Sequence, residues 1–240
     1  MRIGLIILLL ITFLTPINAD DETTKDPKET ITLDGITYVQ EVSPTLRVPL
    51  NKNLFFIFDC SGSMNSNRIR EAMNFLIAIT TQPVDDMQFA ILAFDEPKLN
   101  STTKHGLYRW PGKPEPDLPH PILPGWAGLP SKIAVDEAIV WIKETRSNTG
   151  GETYVAPAIR NALIEDKNEM SIVIISDGEF YDRDGIIMSI LEKSLKIRSN
   201  NEKLDYVPIM VYGTGSRKNI LVQLAQKGGG GYFRKQESKK

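Results

Sequence analysis

The stretch Leu54-Phe55-Phe56-Ile57-Phe58-Asp59-Cys60-Ser61-Gly62-Ser63 is an apolar run that ends in a carboxylate and two hydroxyls. Five consecutive bulky apolar residues suit a strand covered on both faces, as in a parallel sheet. Asp59, Ser61 and Ser63 then bring three oxygens to one short loop, a chemistry suited to a hard divalent cation. The same residue types also serve as turn and N-cap residues, spending their oxygens on free backbone N–H groups. The pentapeptide alone does not choose between these uses; further oxygen donors at corresponding places would.

Two other segments supply them. Ile172 to Ile175 is a second short β-branched run, and it ends in Ser176-Asp177-Gly178, placing another carboxylate at the end of a neighbouring parallel strand. Gly150-Gly151-Glu152-Thr153 closes a loop and opens a helical pattern whose apolar side is Ala156, Ala158, Ile159 and Leu163. Thr153 is thereby expected to turn its hydroxyl to the same crevice.

With these residues in hand, the chain resembles a von Willebrand factor type A (vWA) domain over roughly residues 50 to 236. The resemblance implies a metal-ion-dependent adhesion site made of Asp59, Ser61, Ser63, Thr153 and Asp177. It further implies that the hydroxyls touch the ion directly, that the aspartates act partly through water, and that an acidic partner residue completes the shell. The chain departs from the family pattern in one place, since Glu152 separates Gly-Gly from the Thr. Thr149 is the alternative donor, and Thr153 is preferred for its relation to the following helix.

The rest of the chain alternates strand and helix. Helical faces are expected at Arg68 to Thr81 (Ala72, Phe75, Leu76, Ile79), after Ser131 (Ile133, Ala134, Ala138, Trp141, Ile142), at Ile186 to Ile197 and at Asn219 to Gln226. Phe89 to Phe94 and Val207 to Tyr212 read as buried strands, Gly106 to Trp110 as an antiparallel edge strand, and Tyr232-Phe233 as a final edge strand. The fold class expected is α/β, a vWA-type doubly wound, mostly parallel sheet with one antiparallel edge strand and helices on both faces. Ligands of such folds bind outside the carboxyl ends of the strands, where Asp59 and Asp177 fall.

Before residue 50 the reading is simpler. Arg2, the apolar stretch Ile3 to Leu14, Pro16 and a cleavage point after Ala19 form a signal-peptide pattern over residues 1–19, so export is expected, with a signal anchor as the alternative. Residues 20–49 read as a polar leader followed by Ile31-Thr32-Leu33 and Ile36-Thr37-Tyr38-Val39 around Asp34-Gly35, a hairpin that is either appended or an extra edge strand. Residues 237–240 are a polar tail. Seven prolines between 111 and 130 exclude helix or central strand there and give an extended loop. Trp126 in that loop is either packing over the end of the sheet opposite the metal or part of a second contact surface. Asp182-Arg183-Asp184-Gly185 reads as a helix N-cap, and Asn100-Ser101-Thr102 as a glycosylation acceptor pattern.

Composition excludes some classes. A formal charge of -2 gives no general attraction to nucleic acid or anionic membrane. Cys60 is the sole cysteine, so no intramolecular disulfide forms; with no activating base in a recognisable motif it reads as a small buried filler. The leading function is metal-dependent binding: the five residues hold Mg²⁺ (Mn²⁺ or Ca²⁺ as alternatives) and leave a position for a carboxylate of a partner protein. A metal-dependent hydrolase or phosphatase, and a structural domain with a stabilising metal, are the other classes. The absence of a second Asp two residues after Asp59, of a phosphate loop and of a nearby base weighs against an enzyme.

Overall fold

The computed structural model describes residues 29–33, 36–42, 51–80, 87–95, 107–111, 126–128, 132–146, 153–215 and 218–235. The signal-peptide pattern, Thr149, Gly150 to Glu152, Asn100 to Thr102, most of the Pro-rich loop and residues 236–240 lie outside them.

The central strand is β3 (Asn53–Asp59), buried at every position. It runs parallel to β4 (Gln88–Phe94) on one side and to β7 (Met170–Ser176) on the other. Both faces of β3 are covered, which is why its sequence is apolar without alternation. Leu54, Phe56 and Phe58 pack with the faces of α1 (Ser66–Thr80) and α2 (Lys132–Arg146). Phe55 and Ile57 pack with α3 (Ala156–Leu163), α4 (Asp184–Ser199) and α5 (Lys218–Lys227). The fold is therefore α/β with helices on both faces of the sheet.

The strand order is β1-β2-β9-β8-β7-β3-β4-β5, with β6 also on β4. From β3 the chain moves outward to β4 on one side; from β7 it moves outward through β8 (Ile209–Gly213) and β9 (Gly229–Lys235) on the other. The order reverses between β3 and β7, and there α1 leaves to one face and α4 to the other. This leaves a crevice between the carboxyl ends of those two strands.

Antiparallel strands flank both sides, rather than one edge alone. β5 (Leu107–Trp110) and the short β6 (Ala127–Gly128) pair with successive halves of β4, and the hairpin β1 (Glu29–Leu33) and β2 (Ile36–Val42) pairs through β2 with β9. The hairpin thus extends the sheet, and its Tyr38 ring lies 5.1 Å from Phe75, which stacks on Tyr212 at 4.0 Å. β9 is consequently interior, not the final edge strand expected at Tyr232-Phe233. It begins within the glycine run because a side chain at Gly230 would strike the Ile209 carbonyl of β8.

Two helical readings are corrected. In α2 the buried stripe is Val135, Ala138 and Ile142, whereas Ile133 is 73% exposed and lies on the opposite side. At α4 the N-cap is Arg183, with no side-chain cap bond. Asp182 instead accepts the Ala156 N–H at 3.0 Å and so caps α3 across 26 residues. At the amino end of the sheet Trp126 packs edge-on against Phe55, 5.9 Å between centroids, between Arg109 and Lys167. No helix among the described residues is long and apolar enough to cross a membrane.

Candidate metal centre

Asp59 is the last residue of β3, and Asp177 follows the last residue of β7. Both are fully buried. Phe58 pairs with Ile175, so Asp59 stands level with Ser176, whose hydroxyl donates to Asp59 Oδ2 at 2.6 Å. The same Ser176 oxygen accepts the Gly178 N–H at 2.9 Å, and Gly178 turns the chain with φ 81°. The Ser61 N–H donates to Asp59 Oδ1 at 2.9 Å, folding the loop back over the strand end. That turn brings the Ser61 and Ser63 hydroxyls to 2.9 Å from each other.

Beyond Ser63 the chain enters α1, where Asn65 Oδ1 accepts the N–H groups of Asn67 and Arg68 and caps the helix. The cap role considered for the Asp-Ser loop therefore falls to Asn65, leaving the Ser61 and Ser63 hydroxyls paired. Met64 is buried beneath the loop and receives the Thr214 hydroxyl at 3.3 Å. Cys60 is fully buried too. The loop after β8 presses on Asp177: a side chain at Gly215 would sit 2.6 Å from the Asp177 Cβ.

Thr153 is buried just before α3. Its carbonyl accepts the Tyr181 N–H at 2.8 Å, so it is fastened to the loop that carries Asp177. The neighbouring Tyr154 meets Tyr181 ring to ring at 5.4 Å. Asp59, Ser61, Ser63 and Asp177 are joined through hydrogen bonds at one end of the sheet, and Thr153 reaches the same loop by its backbone.

Sequence reasoning missed two participants. Ser176 positions Asp59. Arg68 reaches back from α1 to donate from Nη1 to Asp177 Oδ2 at 2.7 Å and to the Ser63 carbonyl at 3.0 Å. For Ser176 the signal was its place at the end of an apolar run, directly before Asp177.

The electrostatics follow from burial. Loss of hydration pushes the Asp59 carboxyl up from 3.8 to about 7; hydrogen bonds from Ser176 and Ser61 oppose this, and repulsion from Asp177 adds to it. Two buried carboxylates beside paired hydroxyls form a donor set that a hard divalent cation fits. Among the described residues no three His, Cys, Asp or Glu side chains cluster, so any cation here depends on hydroxyl oxygens as well.

No family profile and no curated protein matches the chain. Among solved structures it is similar to a von Willebrand factor type A from Catenulispora acidiphila, at 17% identity and a TM-score of 0.42. That similarity covers 79% of this chain and 38% of the other, so the chain spans well under half the length of that structure.

Proposed function

We propose that this protein is an exported, non-catalytic binding module of the vWA type, in which Asp59, Ser61, Ser63, Thr153 and Asp177 hold a divalent cation. Mg²⁺ is the first choice, because a site with two carboxylates, hydroxyls and water suits its small octahedral shell. The cation keeps one position for a carboxylate from a partner protein. The observation that carries this reading is the placing of two fully buried aspartates at adjacent strand ends across the switch point, beside the Ser61–Ser63 hydroxyl pair.

Holding is favoured over hydrolysis by how Asp59 is used. Both of its oxygens already accept hydrogen bonds, from the Ser61 N–H and the Ser176 hydroxyl. A carboxylate fixed in this way is oriented as a ligand, whereas a general base must be able to reach a water's proton. Export rests on the Arg2, Ile3 to Leu14, Ala19 pattern.

The test is a thermal titration with Mg²⁺ and Mn²⁺. Binding to the folded state alone raises Tm with ligand concentration, and Asp59→Ala should remove the rise. A mutant with an unchanged response would sink the assignment. Capture of partners from extracellular or periplasmic extract, with and without chelator, then separates adhesive binding from stabilisation.

A further inference from the structure

Arg68 is the one cationic side chain that the structure joins by hydrogen bonds to the oxygen cluster among the described residues. Its Nη1 has three acceptors within reach: Asp177 Oδ2 at 2.7 Å, the Ser63 carbonyl at 3.0 Å and Glu179 Oε1 at 3.3 Å. That nitrogen carries two hydrogens, so the Glu179 contact is the weakest of the three. Asp177 is fully buried, the Arg68 side chain is 25% exposed, and Glu179 is 41% exposed. The guanidinium therefore spans from the buried carboxylate to an acidic residue at the rim.

We propose that Arg68 is an internal counter-cation that competes with the metal for Asp177, and that Glu179 receives it when a cation enters. The inference rests on the metal-binding reading above. Asp177 Oδ1 is occupied by the Glu179 N–H at 2.9 Å, and Oδ2 by Arg68. A divalent ion served by Asp177 must share that carboxylate with a positive charge, which Coulomb repulsion at short range opposes. Glu179 is two residues from Asp177 and already touches the same nitrogen, so the guanidinium can change partners by a small side-chain rotation. Arg68 thus sets the affinity of the site: it neutralises part of the buried charge in the metal-free protein and raises the threshold for cation entry.

The experiment measures Mn²⁺ affinity by calorimetry and Tm in chelator for wild type, Arg68→Gln, Arg68→Lys, Glu179→Gln and the Arg68→Gln/Glu179→Gln pair. Arg68→Gln should bind Mn²⁺ about tenfold more tightly, within the usual range of coupling between two sites, and should melt lower in chelator. Arg68→Lys keeps the charge and should bind within about threefold of wild type, and it tests the idea even if the Gln variant misfolds. Glu179→Gln should weaken Mn²⁺ binding in the wild-type background and much less beside Arg68→Gln, because its role is to hold the displaced guanidinium. Equal or weaker binding by Arg68→Gln, with wild type binding normally, overturns the competitor role and leaves the metal site standing. Absence of Mn²⁺ binding in both wild type and Arg68→Gln overturns both.

Discussion

Chelated protein should lose stability as the pH rises from about 4 to above 7, and Asp59→Asn should abolish that loss. The Asp59 carboxyl is fully buried and stands at about 7 in the folded protein against 3.8 for the free group. The folded state therefore keeps this proton over a pH range where the unfolded chain has released it. Stability from this group is fully present below 3.8, declines as the pH rises, and is gone once the pH passes about 7. A gap of about three pH units at about 1.4 kcal/mol each gives a cost of about 4 kcal/mol at pH 8. For a chain of this length that is on the order of 10 °C in Tm. Other groups impose their own slopes, so the informative quantity is wild-type Tm minus Asp59→Asn Tm, measured in chelator from pH 4.5 to 8 by circular dichroism. The amide keeps an oxygen to accept the Ser61 N–H but carries no charge. The difference should fall steadily towards pH 8, and Mg²⁺ should reverse the trend because a bound cation favours the ionised carboxylate. A difference that stays constant across the range would refute the reasoning, since it would mean that Asp59 ionises in the fold as easily as in water.

Two further substitutions probe the frame around the site. Gly215→Ala places a methyl group 2.6 Å from the Asp177 Cβ and 2.7 Å from its carbonyl oxygen, so it should cost about 1–3 kcal/mol and shrink the Mg²⁺-dependent rise in Tm. Gly128→Ala, which meets nothing within 4 Å, is the control that should change neither. Arg198, buried in α4, donates to the carbonyls of Leu163, Glu165, Lys167 and Asp205 and so ties the ends of α3, β7 and β8 together. Arg198→Met should lower stability by about 3 kcal/mol in urea unfolding, and an unchanged midpoint would show that water satisfies those carbonyls at no cost.

The features legible in the sequence are those set by local pattern. β3 and β7 announce themselves by apolar runs closed by polar oxygens, and the α3 face of Ala156, Ala158, Ile159 and Leu163 is buried as its spacing predicts. What escaped depends on contacts between distant segments. Nothing local in Ile36 to Val42 says that it will pair with β9, about 190 residues further on, and so cover the strand that looked terminal. A glycine run after a helix looks like a break before Tyr232-Phe233, not the start of the strand, unless one knows that Ile209 lies against it. Arg68, in the first turn of an exposed-looking helix, reads as a solvated charge; only closure of the sheet brings Asp177 to it across 109 residues. Asp182 looked like the cap of the helix it precedes, yet the free N–H it meets belongs to α3.

Strand parity explains why the two aspartates, so alike in sequence, acquire different partners. Asp59 shares its side of β3 with Phe55 and Ile57, the side of α3, α4 and α5, and Ser176 shares its side of β7 with Ile172 and Ile174. The two point to the same face and bond directly. Asp177 is one residue further and continues the opposite alternation, that of Val173 and Ile175, which face α1 and α2. The helix on that face is the one that carries Arg68. Each carboxylate accepts one backbone amide, and the second donor is a hydroxyl for Asp59 and a guanidinium for Asp177, although both sit at the same end of the sheet. A slip of one residue in the β3–β7 register would exchange these environments, placing Asp59 level with Asp177 and bringing two buried negative charges side by side. The existing register places Ser176, not Asp177, level with Asp59, so the repulsion that Asp177 exerts on Asp59 remains a lesser contribution beside burial, and it leaves the oxygens of both aspartates bordering one crevice from opposite faces.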